Sequence, residues 1–195
     1  MRLNYGGFVP LSLSDYPGKP AAVLFMRGCK YKCPYCHNKD ICRGTFNMSV
    51  DRVMETIKAH RRGIRALVIS GGEPLLQPAA IEEICRKRDD ALCVGIETAG
   101  VDPDALERLL KTSLVDYVML DVKAHNEEEY TRITGDSKAF WNMRCCLDVC
   151  ATHQVKVQCR TTVYQGYPSA DQIEEIRKMI TQFGFSDLKI QEAIV

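Results

Sequence analysis

Residues 66–74 read Ala-Leu-Val-Ile-Ser-Gly-Gly-Glu-Pro, and the architecture turns on this stretch. Residues 66–70 are a short apolar run without polar alternation, which suits a strand covered on both faces, as in a parallel sheet. Two glycines and a proline then break the strand. Beyond them Ile81, Ile84 and Cys85 follow Pro78 at helical spacing, and proline is favoured in a first turn. A buried strand, a glycine-rich turn and an amphipathic helix make one βα unit.

The same pairing recurs on either side. Residues 22–26, 91–96, 117–121, 156–163 and 188–191 are further apolar runs of strand length. Helical patterns lie between them. One is predicted to open near Ser49, and another covers roughly residues 139–152. Leu106, Leu109 and Leu110 follow the cap and first-turn pair Asp102-Pro103. Ile173, Ile176, Met179, Ile180 and Phe183 form a stripe opened by the capping box Ser169-x-x-Gln172, with Gly184 as its stop. Alternation about six times over predicts parallel βα units in a partial (β/α)6 TIM-like barrel, open on one side. A doubly wound sheet is the alternative. No repeat or linker composition divides the chain, so residues 1–195 are expected to form one domain.

Composition excludes some classes of function. The chain has 195 residues, 46% of them hydrophobic and 26% charged, with 26 basic and 25 acidic side chains. A net charge of +1 gives no bulk attraction to nucleic acid or an anionic membrane. The N-terminus lacks a signal-peptide pattern, and no apolar run approaches a membrane span. A cytoplasmic location is expected, with no nucleic-acid or membrane partner. Ten cysteines are too sparse for a disulfide scaffold in a chain this long.

In a βα barrel, chemistry gathers at the C-terminal ends of the strands. The residues that follow the predicted strands are Arg27-Gly28-Cys29, Gly71-Gly72-Glu73-Pro74, Glu97-Thr98-Ala99-Gly100, Asp121-Val122-Lys123, Tyr164-Gln165-Gly166 and Gln191-Glu192. Most are polar, charged or glycine-rich, which structural loops do not require.

Cys29, Cys33 and Cys36 stand at the first of these ends with C-x3-C-x2-C spacing. Three thiolates so close together call for a cation. A structural zinc site completed by His37 is one reading, although no second C-x2-C knuckle exists and His37 directly abuts Cys36. A cubane 4Fe–4S cluster suits three cysteines better, leaving one iron without a protein ligand. Cys42, Cys85, Cys93, Cys145, Cys146, Cys150 and Cys159 show no ligand spacing and are expected to be buried small hydrophobes.

The C-x3-C-x2-C motif, with Tyr35 before its last cysteine, resembles the signature of the radical S-adenosylmethionine superfamily. The resemblance implies that the open iron is chelated by the amino and carboxylate groups of S-adenosylmethionine. An electron from the cluster then cleaves the carbon–sulfur bond to a 5′-deoxyadenosyl radical. Gly71-Gly72-Glu73-Pro74 looks like the GGE motif of that superfamily. There, backbone carbonyls and the Glu73 carboxylate would accept hydrogen bonds from the ammonium group. Lys123 would hold the carboxylate. The resemblance also places Tyr35, His37, Thr98 and Asp121 near the cosubstrate. Strand alternation points Arg160 and Thr162 to one face, where Arg160 is expected either to contact the cosubstrate or to form a structural ion pair. In some relatives, residues matching Glu97, Thr98, Met119 and Asp121 sit near a monovalent cation, although the family often has Asp where Glu97 stands. No catalytic residue beyond the cluster and cosubstrate is implied.

Ser14-Asp15-Tyr16-Pro17-Gly18-Lys19 and Cys36-His37-Asn38-Lys39-Asp40 resemble the glycyl-radical-enzyme activating branch. Together with Arg160-Thr161-Thr162-Val163 they are most similar to the subgroup that activates anaerobic ribonucleotide reductase. The likeness spans roughly residues 12–165. It implies a glycyl radical enzyme as partner and a reducing donor such as flavodoxin or ferredoxin. Two rivals remain. One is a small-molecule radical enzyme of the deazapurine-forming kind, which tends to have altered cysteine spacing. The other is a non-catalytic iron–sulfur or zinc module.

Overall fold

Each predicted apolar run becomes a strand, and their shared direction follows from the helices that return the chain between them. The computed structural model describes residues 1–193. The parallel strands are β2 (Ala21–Met26), β4 (Ala66–Gly71), β5 (Cys93–Thr98), β6 (Tyr117–Asp121), β7 (Lys156–Val163) and β8 (Leu188–Glu192). They pair in that order, with Leu67 beside Val94, Gly95 beside Tyr117 and Met119 beside Gln158. Their C-terminal ends therefore share one rim.

Six helices cover the outer face: α1 (Val50–Ala59), α2 (Pro78–Lys87), α3 (Pro103–Lys111), α4 (Glu127–Thr134), α5 (Ala139–His153) and α6 (Ala170–Thr181). Their starts carry the caps that the sequence advertises. The Asp102 side chain accepts from Ala105 N at 3.0 Å, and both arms of the Ser169–Gln172 capping box are present. Ser49 caps α1 by accepting from Arg52 N.

Three features depart from the sequence expectation. The sheet has two additional strands, β1 (Arg2–Ser12) and β3 (Asn47–Ser49), both antiparallel, so the order is β3-β1-β2-β4-β5-β6-β7-β8. Two glycines, Pro10 and a mostly half-exposed pattern hide β1 from a periodicity reading. Helix α4 is also unanticipated. Only Tyr130, Ile133 and Thr134 of it are buried, and its definition comes from the Asn126 cap and the left-handed Gly135 stop. Strand β5 begins two residues later than expected. Asp89 forms a turn there, accepting from Ala91 N through its side chain and from Leu92 N through its carbonyl.

The sheet is a partial barrel, open between its first and last parallel strands. Its outer face packs Leu24, Ile69, Ile96, Leu120 and Cys159 against the helices, and these form the larger core. Burying each of the large aliphatic side chains stabilises by about 1.5–3 kcal/mol. The interior is narrower, lined by Ala21, Val23, Ala66, Val68 and Met119. Six strands do not close around these side chains, and Tyr16, from the segment between β1 and β2, fills the gap. Gly95 makes room for it: a Cβ there would lie 3.1 Å from the Tyr16 ring and 2.9 Å from the Met119 methyl. Among the described residues, no helix is long and apolar enough to cross a membrane.

Candidate functional site

A cavity of about 410 Å³ opens at the C-terminal rim, where the βα architecture concentrates chemistry. Cys29, Cys33, Tyr35, Cys36 and His37 line it from the loop after β2. Gly71 and Gly72 line it from the end of β4, Glu97 and Thr98 from β5, Asp121 and Lys123 from β6, and Arg160 from β7. The fold thus brings together twelve of the fourteen predicted site residues. Glu73 and Met119 lie outside its lining.

The cysteine loop is fixed by backbone bonds. Gly28 N and Cys29 N donate to the carbonyls of Ile41 and Cys42 at 2.8 and 3.0 Å, and Lys32 N donates to Thr134 O at 2.9 Å. Arg27 clamps the far side of the loop, its guanidinium donating to the carbonyls of Asp40 and Arg43. The Asn38 side chain donates to Gly71 O at 2.9 Å and ties this loop to the glycine turn.

The two glycines are required by backbone approach. A Cβ on Gly71 would lie 2.1 Å from Met26 O, and one on Gly72 would lie 2.3 Å from Gly28 O. Gly72 N and Glu73 N donate to those same carbonyls, each at 2.8 Å. The glycines therefore bring the ends of β2 and β4 together, which sets the thiols beside the turn. Glu73 stands directly behind this turn. Its carboxylate is fully buried and accepts from Leu75 N, Thr98 Oγ1 and Ala99 N at 3.0, 2.6 and 2.9 Å. Glu73 thereby ties the glycine turn to the end of β5. Burial pushes its carboxyl above the usual range, partly offset by those three donors.

Lys123 is one of two buried cations that line the cavity, with Arg160. Its Nζ lies 3.0 Å from Asp121 Oδ2 and 5.9 Å from the centre of the Tyr35 ring. Burial opposes its charge, but Asp121, Tyr35 and Cys33 outweigh that and raise its pKa further. It remains an ammonium. The thiols move the other way from the ionised form: burial pushes Cys29 up to about 11 and raises Cys33. Both would give up a proton to bind a metal.

The donor set fits an iron–sulfur cluster. Cys29, Cys33 and Cys36 are free thiols along one wall. Among the described residues no three His, Cys, Asp or Glu side chains converge on one ion. Three thiols along one wall could each bind one iron of a cubane and leave a fourth iron without a protein ligand, and the Lys123 ammonium borders the same cavity. The monovalent cation does not fit as well. Glu97 is ion-paired to Arg160, whose guanidinium also reaches Gln158 Oε1 and Asp15 O. Thr98 is engaged with Glu73, Asp121 with Lys123, and Met119 packs in the barrel interior. The Arg160 guanidinium supplies the positive charge there, and no role is assigned to a cation. Burial raises the Glu97 carboxyl, and Arg160 pulls it back.

Several lining residues carried no role in the sequence reading. Asn38 and Asp15 stood in quoted segments, and the signal for each was its proximity in sequence to a motif. Tyr31 was signalled only by its place between two of the cysteines, and Ser70 by ending a strand. The cysteine expectation needs correction at three positions. Cys85, Cys146, Cys150 and Cys159 are buried, but Cys145 is exposed. Cys93 accepts from Lys19 Nζ at 2.8 Å, and Cys42 lies 3.6 Å from Cys36, sulfur to sulfur.

Comparison with known proteins adds ancestry to this geometry. The family profile described as the Radical SAM superfamily matches residues 23–180. A Methanocaldococcus jannaschii protein named as a glycyl-radical enzyme activating enzyme is 37% identical over 185 residues, 92% of this chain and 76% of that protein. The pyruvate formate-lyase-activating enzyme of Clostridium pasteurianum is 32% identical over 139 residues, 66% of this chain. The matched part spans 56% of that relative's length. The solved structure of anSMEcpe with bound AdoMet and Kp18Cys peptide superposes with a TM-score of 0.66 at 17% identity. That match covers 86% of this chain and 49% of the other, and it is a likeness of fold. The chain belongs to the radical SAM superfamily.

Proposed function

We propose that this protein activates a glycyl radical enzyme. It would hold a 4Fe–4S cluster on Cys29, Cys33 and Cys36, bind S-adenosylmethionine beside it, and abstract one Cα hydrogen from a glycine of the partner. The observation that carries this reading is the shared wall of one cavity. Three thiols, the Gly71–Gly72 backbone and the Lys123 ammonium all border it.

Cys29, Cys33 and Cys36 would hold the cluster there, and when bound it would supply the electron for reductive cleavage of S-adenosylmethionine, whose deoxyadenosyl fragment would take the glycine hydrogen. The chain's own residues bind and orient. Lys123, buried and charged, is suited to the methionine carboxylate. Carbonyls of the glycine turn are suited to its ammonium. Tyr35, His37, Thr98, Asp121 and Arg160 line further parts of the cavity and are suited to orient the rest of the cosubstrate.

The unclosed side of the barrel suits a macromolecular substrate. Asp15, Gln191 and Glu192 border the cavity and offer acceptors for the N–H groups of an incoming peptide. Motif resemblance favours anaerobic ribonucleotide reductase as partner, with flavodoxin or ferredoxin as the electron donor. The similarity to named activating enzymes supports the broader class.

The test is anaerobic incubation of the reconstituted protein, reductant and S-adenosylmethionine with a candidate glycyl radical enzyme. A doublet radical signal by electron paramagnetic resonance is expected on that partner, abolished when its radical-site glycine is replaced by alanine. Cosubstrate cleavage with no radical on any such partner would favour a small-molecule substrate.

A further inference from the structure

Cys42 sits behind one of the three cluster-binding cysteines. Its sulfur is 3.6 Å from that of Cys36, yet Cys42 is absent from the lining of the cavity. The position is built. Ile41 O and Cys42 O accept from Gly28 N and Cys29 N, and Arg27 holds the carbonyls of Asp40 and Arg43 on either side. The segment that carries Cys42 is thereby locked to the segment that carries Cys29.

We infer that the Cys42 thiol donates a hydrogen bond to the Cys36 sulfur and raises the reduction potential of the cluster. The inference rests on the proposed cluster at Cys29, Cys33 and Cys36. A metal-bound Cys36 is a thiolate and can only accept, so the proton must lie on Cys42. An S–H is a weak donor, but an ionised acceptor strengthens the bond. Hydrogen bonds to ligand sulfurs withdraw charge and stabilise the more electron-rich, reduced state, which is one of the main determinants of cluster potential. Cys42 is then a positioning residue for the electron-transfer step. It makes the cluster easier to reduce and does not touch the cosubstrate.

The experiment is a redox titration, under anaerobic conditions, of the reconstituted wild type, Cys42→Ala and Cys42→Ser, with iron and sulfide content measured on each. The expected result is an unchanged iron content and a more negative midpoint for Cys42→Ala. At a fixed potential near the wild-type midpoint, its ratio of reduced to oxidised cluster falls about two- to fivefold, the scale of one weak hydrogen bond. Cys42→Ser, which keeps a donor, recovers part of the shift. An identical midpoint in wild type and Cys42→Ala overturns the inference while leaving the cluster assignment intact. Equal shifts in both variants would mean packing rather than donation, and also overturn it. Loss of iron in Cys42→Ala would make Cys42 a ligand instead. Absence of any cluster in the wild type would refute the proposed function as well.

Discussion

Asn38 and Gly71 are joined by a hydrogen bond of 2.9 Å from the Asn38 amide to the Gly71 carbonyl. That side-chain contact, beside the backbone bond from Glu73 N to Gly28 O, links the loop carrying the thiols to the turn suited to the methionine ammonium. Replacing Asn38 by alanine removes the side-chain tie, leaves the backbone bond, and removes no proposed ligand. S-adenosylmethionine binding to the reconstituted protein is expected to weaken by about 2- to 10-fold, with iron content unchanged. Equal loss of iron and affinity would mean that Asn38 supports the cluster loop alone.

Lys123 is buried and charged, with Asp121 as its partner. In Lys123→Met the cavity loses the buried ammonium proposed to hold the cosubstrate carboxylate, and Arg160, already paired to Glu97, does not replace it. Equilibrium binding of S-adenosylmethionine should weaken about 10- to 100-fold, while the visible spectrum of the cluster persists. Arginine at this position should recover part of the affinity. Unchanged binding in Lys123→Met would remove the lysine from the site.

The Arg160–Glu97 pair makes a distinct prediction about stability. Both side chains are largely enclosed, and Arg160 is 6% exposed. Arg160→Gln strands the Glu97 carboxylate and should cost about 3–5 kcal/mol in denaturant unfolding. The double variant Glu97→Gln/Arg160→Gln leaves no unpaired charge and should be more stable than Arg160→Gln alone. Additive losses would contradict the pairing.

Cluster assembly should depend on pH in a definite direction. In the metal-free fold, burial holds the Cys29 thiol at about 11 and the Cys33 thiol above its ordinary value, so both are protonated near neutrality. Iron binds the thiolate and must displace those protons, and lower pH therefore competes with it. Iron incorporated at limiting supply should rise between about pH 7 and pH 9. A flat profile would show that the thiols ionise unaided.

Much of this was legible in the sequence, for identifiable reasons. Non-alternating runs such as 66–70 announce strands covered on both faces, and caps such as Asp102-Pro103 announce helix starts. Those two signals carry the parallel sheet and most of its helices. They fail at β1, which is half exposed and interrupted by Pro10, and at α4, whose apolar stripe is too short to register. In the cavity, residues at strand ends could be placed because strand position implies rim position. For Glu73 the sequence is ambiguous, because a glutamate beside two glycines looks equally apt for a ligand or for bracing. The three donors around its carboxylate, two of them on β5 and the residue after it, show the bracing, and no local pattern announces them. Tyr16 could not be foreseen as filling the open barrel, since that contact joins residues remote in sequence.

The most direct measurement is anaerobic cleavage of S-adenosylmethionine by the reconstituted protein with dithionite, comparing wild type with Cys33→Ala. The account predicts methionine and 5′-deoxyadenosine in equal amounts from the wild type, and neither product nor cluster absorbance from Cys33→Ala. Bound zinc without cleavage in the wild type, or cleavage that survives in Cys33→Ala, would contradict it.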